Sequence, residues 1–142
     1  MTDNINRKKT KGSCLCGQVQ FEIYGELRDI VNCHCSKCRK FNGNFGAYTS
    51  VKVENFKITE KKSLKWYKSS TDETADVHRG FCLECGSSLF WHPKDKPNIS
   101  IAAGSLDSLT NLKTIGHIWC SQISDYYKID DDLPQFDERW TD

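Results

Sequence analysis

Seven of the eight cysteines in this 142-residue chain fall into three short clusters, and no other feature limits the possible folds as much. The clusters are Cys14-Leu15-Cys16, Cys33-His34-Cys35-Ser36-Lys37-Cys38 and Cys82-Leu83-Glu84-Cys85, while Cys120 stands alone. The opening residues, Met1 to Lys11, are polar and basic and lack the apolar stretch of a secretory signal. We therefore expect a cytoplasmic protein with reduced thiols, and read the clusters as metal ligands or working thiols rather than as a disulfide framework.

The rest of the composition narrows the classes further. The length suits one domain. With 37% hydrophobic and 11% aromatic residues, the chain is too apolar to be disordered. Its net charge of +1 lacks the basic excess of a nucleic-acid binder, and no apolar run approaches a membrane span. Neither a Walker loop nor a G-x-G-x-x-G fingerprint occurs. Expected partners are small molecules, with no nucleic acid and no membrane.

Alternating apolar residues predict short strands around Val19 to Ile23, Ile30 to Cys33 and Ala47 to Val53. Further strands are expected at Leu64 to Tyr67, Asp76 to Phe81, Ser88 to Trp91, Ile99 to Ala103 and His117 to Cys120. Ser36 is placed to N-cap a short helix through Phe41, ended by Asn42-Gly43. The expected fold is mainly β, with antiparallel sheets and at most one or two short helical turns. Residues 1–11 read as a disordered leader, 12–136 as the domain and 137–142 as a C-terminal tail, with Phe136 and Trp140 expected to pack on the body.

Zinc–sulfur bonds of about 2.3 Å place tetrahedral sulfurs roughly 3.8 Å apart, a spacing that C-x-C and C-x-x-C turns beside glycine can supply. The economical pairing joins Cys14 and Cys16 to Cys82 and Cys85 in a closed structural site, tying the first strands to a distant hairpin. Cys33, Cys35 and Cys38 form a second group. Three protein ligands with an open position mark a working zinc, unless Cys120, His34, His78, His92 or His117 closes the site. His34 lies between two ligands and is expected to pack, as is the Cys120 thiol. Lys37, Arg39 and Lys40 sit beside this group and would offset its negative charge or grip carboxylates of an incoming thiol compound. A zinc-bound thiol is deprotonated near neutral pH and attacks carbonyl carbon, which suggests addition of a thiol to an aldehyde or the reverse cleavage.

Gly12-Ser13-Cys14-Leu15-Cys16-Gly17, Cys33-His34-Cys35-Ser36-Lys37-Cys38-Arg39 and Phe81-Cys82-Leu83-Glu84-Cys85-Gly86 together resemble the glutathione-dependent formaldehyde-activating enzymes, a family that includes centromere protein V. Ala103-Gly104-Ser105-Leu106-Asp107, His117-Ile118-Trp119 and Asp132-Leu133-Pro134-Gln135-Phe136 fit the same pattern. The resemblance implies an Mss4-like fold of antiparallel sheets stapled by two zincs per chain. It implies a structural zinc on Cys14, Cys16, Cys82 and Cys85 and a catalytic one on Cys33, Cys35 and Cys38. It also implies a carbon–sulfur lyase that joins glutathione, as co-substrate, to formaldehyde. Two readings compete: a zinc-stapled interaction module without catalysis, and a thiolate redox or zinc sensor.

Overall fold

The computed structural model describes residues 8–69 and 76–141. Within them lie β1 (Lys9–Ser13), β2 (Gln20–Tyr24), β3 (Ile30–Cys33), α1 (Ser36–Asn42), β4 (Gly46–Lys52), β5 (Phe56–Glu60), β6 (Leu64–Lys68), β7 (Val77–Cys82), β8 (Ser88–Pro93), β9 (Asn98–Ala102) and β10 (Thr114–Ile118). Single 3-10 turns cover Val53–Asn55, Ala103–Ser105 and Cys120–Gln122. The protein is mainly β, as its alternating apolar pattern requires. β1, β2 and β5 make a three-stranded sheet; the other strands make a seven-stranded sheet in the order β10-β3-β4-β9-β8-β7-β6.

The two faces of the large sheet do different work, because side chains alternate with period two. Val51, Phe90, Ile99 and Ile101 point to one face and are buried against Phe21 and Ile23 of the small sheet. Phe90 is the joint between the sheets: its ring lies 5.1 Å from both Phe21 and Phe56 and 5.7 Å from Trp66. On the opposite face the registers Ser50↔Ser100, Ser100↔Trp91 and Trp91↔Arg79 set four side chains in one cross-strand row. That row floors the cavity described below.

Several expectations need correction. Lys9 to Lys11, expected in a disordered leader, belong to β1, which pairs with β2 through Lys9↔Tyr24 to Ser13↔Gln20; residues 1–7 lie outside the described residues. β1 escaped notice because its side chains are mostly polar and its order comes from the partner strand. β5 was missed although Phe56 and Ile58 alternate with Lys57 and Thr59. The sheets are not wholly antiparallel: β10 runs parallel to β3. β10 also starts earlier than expected and stops at Ile118, because Trp119 takes a left-handed conformation at φ 56°. Cys120 consequently sits in a 3-10 turn.

The C-terminal segment packs along β10. His117 and Gln135 form a parallel bridge, and the Trp119 and Cys120 amides donate to the Glu138 and Phe136 carbonyls. Phe136 and Trp140 pack against each other with ring centroids 4.6 Å apart and the planes tilted by 48°. Gly116 is required beneath them, since a Cβ there would fall 2.5 Å from Trp140 Cζ3.

Candidate metal centres

The first cysteine group forms where two turns meet. Cys14 and Cys16 follow β1, while Cys82 ends β7 and Cys85 lies in the turn to β8. All four sulfurs lie within 4.8 Å of one another. Cys14–Cys16 and Cys16–Cys82 are each 3.7 Å apart, close to the roughly 3.8 Å edge of a tetrahedral zinc–thiolate site. The local backbone is arranged around sulfur as acceptor: the Val19 amide donates to Cys14 Sγ and the Cys85 amide to Cys82 Sγ. Ser87 Oγ lies 3.3 Å from Cys85 Sγ and pulls that thiol down, to about 5. Gly86, at φ 79°, closes the turn where a side chain would be strained. This donor set fits a metal, and fits it as a closed four-sulfur site.

The second group is built on one strand end and one helix start. Cys33 ends β3, and Cys35, rather than the expected Ser36, is the N-cap of α1, its sulfur accepting the Cys38 amide at 3.3 Å. A charge-bearing sulfur competes well for an orphan helix amide, which explains the shift of one residue. Hydrogen bonds from the Cys33 and Cys38 thiols hold Cys35 down, at about 2, while the same contacts push Cys33 up. The group's three sulfurs lie within 4.8 Å of one another, and among the described residues no further His, Cys, Asp or Glu atom joins them.

The candidate fourth ligands are engaged elsewhere. His78 Nε2 pairs with Asp76, and His92 lies beside Trp66. Cys120 is half-buried and belongs to neither group. His34 and His117 form a buried relay that the sequence alone did not reveal. Asp131 accepts from His117 Nε2 at 2.9 Å, so His117 Nδ1 accepts from His34 Nε2 at 2.9 Å, and His34 Nδ1 accepts from Tyr127 Oη at 2.5 Å. Burial, reinforced by His117, lowers His34 to about 4 and keeps it neutral, consistent with that proton order. The relay pins the Cys33–Cys35 loop to β10 and the C-terminal segment. His117→Phe strands the buried His34 N–H, and should cost about 1–3 kcal/mol. The urea midpoint measures this; an unchanged midpoint would show that the relay holds nothing.

A cavity of about 850 Å³ opens beside the second group, with Cys33 and Cys35 in its wall. Tyr48, Trp91, Ile118 and Trp119 give it apolar surface. Among the described residues its cations are Arg28, Lys37, Arg79, Lys96 and Arg139, and no Asp or Glu lines it. Of the three basic residues singled out from the sequence, Lys37 reaches the cavity. Arg39 instead donates to the Gln122 carbonyl, and Lys40 is exposed outside the lining. The missed cations come from distant strands and loops. Only Arg79 left a signal, as an arginine two residues from Val77 on the same face of a strand.

Comparison with known proteins bears on this arrangement. The sequence model described as glutathione-dependent formaldehyde-activating enzyme matches residues 9–122. A crystal structure of a Rhodobacter sphaeroides protein is similar in fold, with a TM-score of 0.57 and 22% identity, covering 71% of this chain and 91% of that one.

Proposed function

This chain belongs to the family of glutathione-dependent formaldehyde-activating enzymes, and from that premise we propose that it is a zinc-dependent carbon–sulfur lyase acting on an aldehyde and a glutathione-like thiol. One observation carries the reading: among the described residues three clustered sulfurs have no fourth protein ligand atom, and two of them, Cys33 and Cys35, stand in the wall of a cavity whose described lining is rich in cations and holds no carboxylate. A closed site, like the first group, has no position for a substrate.

In this reading Cys14, Cys16, Cys82 and Cys85 hold a structural zinc, and Cys33, Cys35 and Cys38 hold the catalytic one. Zinc at the second centre supplies a Lewis acid that keeps an exogenous sulfur ionised near neutral pH. The chain's own residues do the rest. Lys37, Arg139, Arg28 and Lys96, all in the cavity lining, attract and orient the carboxylates of the thiol compound. Trp91, Trp119 and Ile118 exclude water from its sulfur. In the addition, the thiol sulfur bonds to the aldehyde carbon as the carbonyl π pair moves to oxygen, and the thiol's proton ends on that oxygen. The reverse reaction returns the proton to sulfur as the carbon–sulfur bond breaks.

Because thiols and formaldehyde combine without a catalyst, binding is the sharper test. Calorimetry on the zinc-loaded protein should show glutathione binding that Cys35→Ser abolishes, and S-methylglutathione, which has no free thiol, should bind at least tenfold more weakly. Equal binding of the two peptides would exclude capture through sulfur, and would favour an interaction module.

A further inference from the structure

We propose that Arg79 is the resident counter-ion of the three-cysteine centre, and that its charge makes this centre select an anionic sulfur over a neutral donor as its fourth ligand. The inference rests on the metal reading above, and assigns a specificity-determining role to a residue outside the ligand set.

Arg79 is only 4% exposed. Its Nη1 and Nη2 lie 3.8 and 3.9 Å from Cys38 Sγ, its Nε donates to Ser69 Oγ at 3.3 Å, and its guanidinium lies 5.3 Å from the Phe41 ring centroid. Among the described residues it makes no salt bridge to a carboxylate. A buried cation is costly unless its charge is compensated close by. Here the compensation comes from the sulfurs, and both terminal nitrogens are turned toward one of them.

The two centres differ in this respect. The first group receives backbone amides and Ser87, and among the described residues no lysine or arginine donates to its sulfurs. A cation was therefore placed at the open group and not at the closed one. Charge counting gives the reason. Three thiolates around a divalent ion carry one negative charge, which Arg79 cancels, so a fourth thiolate brings the assembly to minus one instead of minus two. A neutral donor gains nothing from the guanidinium. Arg79 also lines the cavity, which places its field where the incoming ligand must pass.

The test uses the full chain loaded with cobalt(II), whose absorption reports sulfur ligation. Glutathione and imidazole are titrated as anionic-sulfur and neutral probes. The first centre, already holding four protein sulfurs, serves as an internal reference for folding. In Arg79→Gln, thiol affinity should fall 10–100-fold, the range typical of losing a residue that supports metal ligands, while imidazole affinity stays within about twofold. Arg79→Lys should restore part of the preference, because it keeps the charge and loses the forked geometry. Ser69→Ala, which frees Nε without touching the sulfurs, provides a milder variant and should shift the preference severalfold in the same direction. An unchanged thiol-to-imidazole ratio in Arg79→Gln overturns the counter-ion role and leaves the metal reading standing. If Arg79→Gln does not fold, an unchanged ratio in both Arg79→Lys and Ser69→Ala overturns it instead. A parent chain that binds cobalt at the first centre alone overturns both.

Discussion

Cys82→Ser should lower the melting temperature by about 15 °C and release the metal from the first centre. Cys82 is fully buried, and its sulfur lies 3.7 Å from that of Cys16, a residue 66 positions earlier. A cross-link closing a loop of that length removes about 4 kcal/mol of unfolded-chain entropy in the loop-closure picture. For a chain of this size, each kcal/mol moves the midpoint by roughly 4 °C. The clip also ties the β1–β2 turn to the β7–β8 turn, and so joins the small sheet to the large one. Cys38→Ser is the matched control: it removes a sulfur from a group contained within six consecutive residues and α1, where little loop entropy is at stake, so its midpoint should drop by only a few degrees. Calorimetric melting with metal analysis on both variants decides the matter. Equal midpoints for Cys82→Ser and the parent would show that the first group does not hold the fold.

The contrast between these variants follows from how the two groups are encoded, and it explains what could be read from the sequence. C-x-C and C-x-x-C spacings are local geometry, so each doublet announces a candidate ligand pair, and the doublets could be paired by economy. The open group was legible for the same reason, since Cys33, Cys35 and Cys38 lie within one strand end and one helical turn. What surrounds that group was not legible, because it is assembled from distant segments. Period-two alternation indicates that Arg79 shares a face with Val77, but only the order β9-β8-β7 places that face against Cys38. His34 and His117 are 83 positions apart and meet because β10 pairs with β3 in parallel, a pairing no local pattern specifies. Lys37, Arg39 and Lys40 looked equivalent as a basic run. The short helix turns Lys37 to the cavity, leaves Arg39 on the Gln122 carbonyl and Lys40 exposed, a difference that proximity in sequence does not show.

The same alternation that hides the cavity makes the core predictable, and its joint can be tested. Phe90→Ala should destabilise the protein by about 3–5 kcal/mol, the usual range for truncating a buried aromatic ring. The site cannot easily collapse, because four elements meet around the ring. Phe21 and Phe56 approach it edge-on from the small sheet, Trp66 stacks on it from β6, and Ile101 stands opposite it on β9. Gly80, its register partner on β7, contributes no side chain that could fill the space; a Cβ there would lie 2.8 Å from the ring in the parent protein. Losing the ring therefore opens a cavity between the sheets. A domain of this kind has only about 5–15 kcal/mol of stability to lose, so the variant should unfold at much lower urea concentration. Its next neighbour, Trp91, points to the opposite face, into the cavity, so Trp91→Ala should instead weaken ligand binding with a smaller loss of stability. Urea titrations of the two variants, alongside glutathione binding, separate the faces. If Trp91→Ala proves the more destabilising of the pair, the assignment of core and cavity to opposite faces of this sheet is wrong.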